Sequence, residues 1–188
     1  MTVQLSRDLQ NDFYEYFPTI FESIIKLLDT QNTDILEWSF QTLSYLFKFL
    51  WRYMLKDLNN VYNLYSPLLN ENRKEYIRNF AAESFAFLMR KVIDKNELVD
   101  FLLKRLKQHP DESMGIGRLL FEMFRGVKHQ FNACTEQVFK ILLSKLNCFD
   151  DQDSNQLVFE CVGKTVLSMA EYTNKQHSSL VWKCFYVS

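Results

Sequence analysis

The chain has 188 residues, with 22 Lys and Arg against 23 Asp and Glu for a net charge of −1, which suits one domain or one continuous array. At 47% hydrophobic and 24% charged residues it is neither a disordered chain nor a strongly basic polyelectrolyte. Four Gly and 3 Pro are too few turn formers for a sandwich or barrel of many short strands, and a chain of this length buries roughly 70% of its extended surface without needing a disulfide or a metal.

In chain order, the first residues, Met1 to Asp8, contain no apolar core of the kind a secretory signal needs. From Phe17 the apolar residues recur at helical spacing: Phe17, Ile20, Phe21, Ile24 and Leu28 predict a helix over 12–29. Asp34 followed by Glu37 reads as an N-cap with an acidic first turn, opening a helix over 34–55. There Leu36, Phe40, Leu43, Phe47, Leu50 and Met54 form one stripe, while Trp38, Tyr45, Phe49 and Tyr53 occupy the other side. A helix apolar nearly all round is expected to be covered by neighbours on several sides. Its most apolar part, Leu43 to Leu55, is interrupted by Lys48 and Arg52 and is far short of the roughly 20 apolar residues of a membrane span. A break at Asn59-Asn60 or just before it precedes a helix over 57–69, and Asn70 to Asn72 precede one over 74–92, where Ile77, Phe80, Ala81, Phe85, Leu88 and Val92 predict the buried stripe. Asp94 with Glu97 caps a helix over 95–107. His109-Pro110 ends it, and Ile116, Leu119, Leu120, Met123, Phe124 and Val127 mark a helix over 112–128. Further helices are expected over 135–147, from Thr135, and 154–172, with a short one over 176–186.

The second helices of the successive pairs 12–55, 57–92, 95–128 and 135–172 start about 40 residues apart. That period belongs to HEAT and armadillo arrays, in which a helical hairpin cannot cover its own apolar face and stacks on the next. The expected fold is an all-α, HEAT/armadillo-type α-solenoid of about four antiparallel helix pairs in a single array over 1–188, with the start of a further helix at 176–186.

Catalytic and metal signatures are missing from this sequence. His109, His129 and His177 share no ligand spacing with Cys134, Cys148, Cys161 and Cys184. The cysteines form no Cys-x-x-Cys pair and are read as buried free thiols of a reducing compartment. Gly115-Ile116-Gly117 lacks the third glycine of a dinucleotide fingerprint and follows no strand, and no phosphate-binding Gly-Lys-Ser/Thr loop occurs; those glycines are read as points of close helix packing. The carboxylates Asp150, Asp151 and Asp153 fall in an expected solvated loop. The chain is therefore expected to have no enzymatic activity, no cofactor, no metal and no small-molecule substrate.

Charge is uneven. Residues 71–145 carry 14 basic and 10 acidic side chains, a +4 excess in an otherwise acidic chain. The candidate contact residues are Arg73, Lys74 and Arg78, then Arg90 and Lys91, then Lys104, Arg105 and Lys107. Arg118, Arg125 and Lys128 follow, and Lys95 belongs to the same run. Such a strip on aligned helix ends could meet a phosphate backbone or an acidic partner. The competing reading is ordinary solvated faces and cations answering helix dipoles. No Arg–aromatic pattern of the kind that reads single-stranded bases is expected.

Four blocks carry a resemblance. The first is Ile77-Arg78 with Ala81-Ala82-Glu83, Phe85 and Leu88, which is similar to the second helix of a HEAT repeat. The others are Leu36-Glu37-Trp38-Ser39-Phe40, then Tyr45 to Arg52 with Lys56-Asp57-Leu58, and Tyr65-Ser66-Pro67-Leu68-Leu69. With Gly117 to Met123 they resemble a family of very large nucleolar HEAT-repeat proteins of the small-subunit processome, over about residues 12–145. The resemblance implies a nucleolar scaffold in pre-rRNA processing and small-subunit biogenesis. Its implied partners are other processome proteins, and pre-rRNA or snoRNA met directly or through the assembly, with no membrane. Family members are many times longer, so the resemblance implies a fragment or truncated product. The alternative expectation is a generic HEAT adaptor for protein–protein interaction or transport.

Overall fold

A computed structural model of the chain describes residues 1–70, 72–126 and 131–146, together with Gln156, Phe159, Gly163, Thr165 and Leu167. The described residues are helical without a strand. Their elements are α1 (Thr2–Leu9), α2 (Asn11–Tyr14), α3 (Phe17–Leu27), α4 (Thr33–Lys56), α5 (Leu58–Tyr65), α6 (Glu75–Lys91), α7 (Lys95–Gln108), α8 (Ser113–Phe124) and α9 (Thr135–Leu146), with 3-10 turns at Ser66–Leu68 and Pro110–Glu112. The expected helix over 154–172 lies mostly outside the described residues, and that over 176–186 entirely so. The chain forms two compact units, Met1–Leu88 and Met89–Ser188.

In the first unit α4 is the central element, and α1, α2, α3 and α5 all pack on it. Its inward face, Leu43, Leu46, Phe47, Leu50 and Met54, is fully or almost fully buried. Rings from three other helices close over that face. Phe21 of α3 lies 4.6 Å from Tyr65 of α5, Phe47 meets Tyr65 edge-on at 5.0 Å, and Phe85 of α6 lies 5.4 Å from Tyr62 and 5.8 Å from Tyr65. Offset and edge-to-face pairs add to what burial alone contributes. Burial also pushes the Tyr65 phenol well above its ordinary pKa.

Several expectations are corrected. Residues 12–29 do not form one helix: the chain breaks between α2 and α3, where Pro18 occupies the first turn of α3, and a proline has neither the N–H nor the room to continue a helix from the preceding turn. An additional helix, α1, precedes them. It ends at Gln10, whose φ of 40° is the one left-handed non-glycine residue among those described. The cap of α4 is Asn32 and not Asp34: the Asn32 side chain accepts from the Asp34 and Ile35 amides at 2.9 and 3.2 Å, and Asp34 sits in the first turn. The next break falls at Asp57, just before Asn59-Asn60 as expected. Phe80 is half-buried against Phe40, 4.5 Å away, and does not belong to the sealed core. The second side of α4 is only partly covered: Phe49 and Tyr53 are half-buried, while Trp38 is 68% exposed and Tyr45 37%.

In the second unit α7 packs on α8, α9 and the turn at Pro110–Glu112. Leu98, Val99, Leu102, Leu106, Ile116, Leu119, Leu120, Met123, Phe124, Val138 and Phe139 form its core. Asp94 caps α7 as expected, accepting from the Asn96 and Glu97 amides, and these two bonds hold its carboxyl below the ordinary carboxylate range. Helix α8 ends at Phe124, short of the expected 128. Gly117 is buried, and its carbonyl accepts the Thr165 hydroxyl at 3.3 Å. Cys134 is a half-buried free thiol whose pKa burial raises; Cys148, Cys161 and Cys184 lie outside the described residues.

Candidate functional site

The eight candidate cations divide between the two units, Arg73, Lys74 and Arg78 in the first and Arg90, Lys91, Lys104, Arg105 and Lys107 in the second. Arg73, Arg105 and Arg90 bond other groups of the chain. Arg73 reaches Asp29 at the end of α3 at 3.0 Å. Arg105 bonds Glu112 at 2.9 Å, with both side chains largely buried, and so ties the Pro110–Glu112 turn to α7. Arg90 is the most enclosed in its chemistry: its Nε donates to the Met123 carbonyl at 3.0 Å, and its Nη2 donates to the carbonyls of Glu122 and Arg125.

Those bonds finish the end of α8. The last four carbonyls of a helix have no partner within it. Here Phe121 accepts from the Arg125 amide, Glu122 and Met123 accept from Arg90, and Phe124 accepts from the Asn132 amide at 2.8 Å and the Thr135 hydroxyl at 3.4 Å. A cation at this end also meets the negative pole of the helix. Lys95 performs the same service for α6. Only 7% exposed, its ammonium donates to the Met89, Arg90 and Val92 carbonyls, and desolvation lowers its pKa. The carboxylate of Glu122 is 1% exposed and is held between Arg118 at 3.2 Å and Arg125 at 2.8 Å. Lys95, Arg118 and Arg125 belong to the cationic run of the sequence, whereas Glu122 is not among the expected site residues. The signal was available, since Glu122 stands at i+4 from Arg118 and i−3 from Arg125 on a helix otherwise buried around it.

Lys104 and Lys107 are exposed on α7, Lys91 is exposed and Arg78 half-buried. Lys74 is exposed with its ammonium 5.8 Å from the centre of the Tyr76 ring. Lys128 lies outside the described residues.

A second surface lies on α4, outside the cationic run of residues 71–145. The exposed side of this helix carries Trp38, Tyr45, Lys48, Arg52 and Lys56, with Phe49 half-buried at its edge. The Lys48 ammonium lies 5.9 Å from the Tyr45 ring centre and 5.8 Å from that of Phe49, within cation–π range. Lys56 stands 6.0 Å from Tyr53, and the Arg52 guanidinium 5.2 Å from Trp51. Beside this face, a groove of about 490 Å³ between α4 and α6 is lined by Phe47, Lys48, Phe80, Glu83, Ser84 and Phe87. No group of three or more His, Cys, Asp and Glu side chains suited to a metal occurs among the described residues, and no described helix is long and apolar enough to cross a membrane.

The described residues thus define an all-α protein whose buried ions close helix ends and whose exposed faces offer rings and cations for contact. No family model matches the chain. It is similar to U3 small nucleolar RNA-associated protein 20 of the fission yeast Schizosaccharomyces pombe, at 30% identity over 148 residues, and to the protein of the same name from Saccharomyces cerevisiae, at 28% over 152 residues. Each match takes in 76% of this chain and 6% of the relative; the chain therefore spans about 6% of the length of the relatives it matches. The family resemblance carried by the blocks around Trp38, Tyr45, Tyr65 and Ala81 is borne out by these two proteins.

Proposed function

We propose that the chain is a non-catalytic, HEAT-type scaffold segment of the small-subunit processome, acting in nucleolar pre-rRNA processing and small ribosomal subunit biogenesis. The observation that carries this reading is the 30% identity over 76% of the chain to a protein named for its association with U3 small nucleolar RNA. The helix spacing supports it. The long second helices α4, α6 and α8 start at Thr33, Glu75 and Ser113, 42 and then 38 residues apart, which is the period of helical-hairpin arrays. Stacked hairpins present long surfaces and leave chemistry to partners. Within this reading Lys74, Lys104 and Lys107 are the exposed cations best placed to meet phosphate or an acidic partner, while Arg90 and Arg105 serve the fold.

The test is affinity purification of the tagged chain from cells, with the co-purifying RNA quantified. Enrichment of U3 small nucleolar RNA and of small-subunit rRNA precursors, with nucleolar fluorescence of the tagged chain, is the expected result. Recovery of other proteins with neither RNA, and a signal spread through the cytoplasm, would replace the scaffold by a general adaptor.

A further inference from the structure

We propose that the exposed face of α4 from Trp38 to Lys56 binds single-stranded RNA, with bases stacked on Trp38 and Tyr45 and phosphates held by Lys48, Arg52 and Lys56. At 100° per residue, positions seven apart fall nearly in line. Trp38, Tyr45 and Arg52 therefore make one row along the helix, flanked by Lys48 on one side and by Phe49 and Lys56 on the other. At 1.5 Å per residue the row is about 21 Å long, and the face from Trp38 to Lys56 about 27 Å.

The solvent side of a helix is ordinarily polar, with opposite charges spaced three or four residues apart. This face does neither. Its three cations stand at successive i, i+4 positions, 48, 52 and 56, an arrangement of like charges that destabilises a helix. No carboxylate occupies the positions three or four residues away from any of them, and none of the three makes an ion pair among the described residues; what they face is aromatic rings. A ladder of unneutralised charge, one per turn, calls for an anion with a repeat. Rings interleaved along the same row call for flat groups carried by that same anion. A single-stranded nucleic acid supplies both in every nucleotide, and stacking on exposed aromatics beside a cationic track is how such strands are held without sequence preference. An acidic peptide would answer the charge but leave Trp38, 68% exposed, without a flat partner. The choice of RNA over DNA rests on the functional reading above; the stacking and charge argument does not.

The experiment uses the full 188-residue chain and a fluorescein-labelled twelve-nucleotide uridine strand. Trp38→Ala, at an exposed position, is expected to leave the unfolding midpoint in place and to weaken binding about tenfold, with Trp38→Phe restoring most of it. The triple variant Lys48→Ala, Arg52→Ala, Lys56→Ala is expected to flatten the slope of log affinity against log salt by about 2, since a single strand loses about 0.7 per phosphate contact. Unchanged affinity in Trp38→Ala, equal affinity for a duplex of the same length, or displacement of the strand from Trp38 by poly-glutamate at equal charge each overturns the proposal. The functional reading is judged separately, by recovery of U3 RNA in the purification from cells: it can stand while this face fails, and the face can bind uridine strands while that recovery fails.

Discussion

Replacing Arg90 by Ala tests whether a cation that looks like a ligand contact is instead part of the frame. The guanidinium supplies the hydrogen bonds of the Glu122, Met123 and Arg125 carbonyls at a partly buried helix end. A bond from a charged donor contributes roughly 1.5–3 kcal/mol, and a buried acceptor left without a partner costs about 1–3 kcal/mol. Three such carbonyls share one donor group, and water can reach part of the end of α8, so the contributions do not add fully. A loss of about 2–4 kcal/mol is expected. Lys104→Ala, at an exposed position on the same unit, is the control and is expected to stay within about 0.5 kcal/mol. Urea unfolding followed by circular dichroism measures both, with the comparison restricted to variants that keep the slope of the parent. Arg90→Lys should recover only part of the loss, because an ammonium lacks the planar fork that reaches several carbonyls at once. An Arg90→Ala chain as stable as Lys104→Ala would mean that α8 closes without Arg90, and would return this residue to the candidate contact surface.

Phe85→Ala is expected to cost about 3–5 kcal/mol, because a fully buried ring between Tyr62 and Tyr65 is replaced by a cavity; Phe80→Ala, half-buried, should cost less than half as much by the same urea assay. Asn32→Ala should cost about 1 kcal/mol as the loss of a helix cap, and Asp34→Ala only the smaller helix-dipole contribution of about 0.3–1 kcal/mol; equal losses would restore Asp34 as the cap. The Tyr14 phenol is pushed up to about 12 by burial and by the Asp57 carboxylate beside it. Its folded-state value lies above its unfolded value near 10, so the stability it contributes is complete below pH 10 and is lost as the pH rises toward 12. Thermal melts of Tyr14→Phe from pH 9 to 11.5 should therefore fall less steeply than those of the parent.

Helical periodicity made most of the fold legible, and its failures have local causes. The stripes through Leu43 and Leu50, Ala81 and Phe85, and Ile116 and Leu120 are all buried, because one face of each helix is apolar at the helical period whatever packs against it. The break before α3 was marked by Pro18, but apolar residues on both sides of it continued the same phase and hid the stop. Helix α1 has Ser6 as its buried residue and, after Met1, only Val3, Leu5 and Leu9 as apolar side chains; that is too short and too polar a run to stand out in the sequence, although the helix packs on α4. The covering of Trp38 could not be judged from the sequence, since periodicity distinguishes an apolar face from a polar one without saying whether a neighbour lies against it.

The same limit governs the cations. A run of Lys and Arg near helix ends has two outcomes, and the difference lies in which oxygen atoms the fold brings within reach. Arg90 and Lys95 meet carbonyls that a helix end leaves without partners, so their charge is spent inside the second unit, and moving it to a ligand would expose those carbonyls. Lys48, Arg52 and Lys56 lie in the acidic first 70 residues, where the charge sum is −3, so a regional charge count does not single them out. Net charge averages over faces. Of the acidic residues of that stretch, Asp8, Asp12 and Glu22 stand on α1 to α3, Glu15, Asp29 and Asp57 lie between helices, and Asp34 and Glu37 stand near the start of α4, while the exposed face of α4 from Tyr45 to Lys56 carries three positive charges and rings. For an all-α chain of this kind the informative quantity is therefore the charge of a single helix face after every internal partner has been assigned. By that measure the strongest unspent charge in the first unit lies on α4, beside Trp38 and Tyr45.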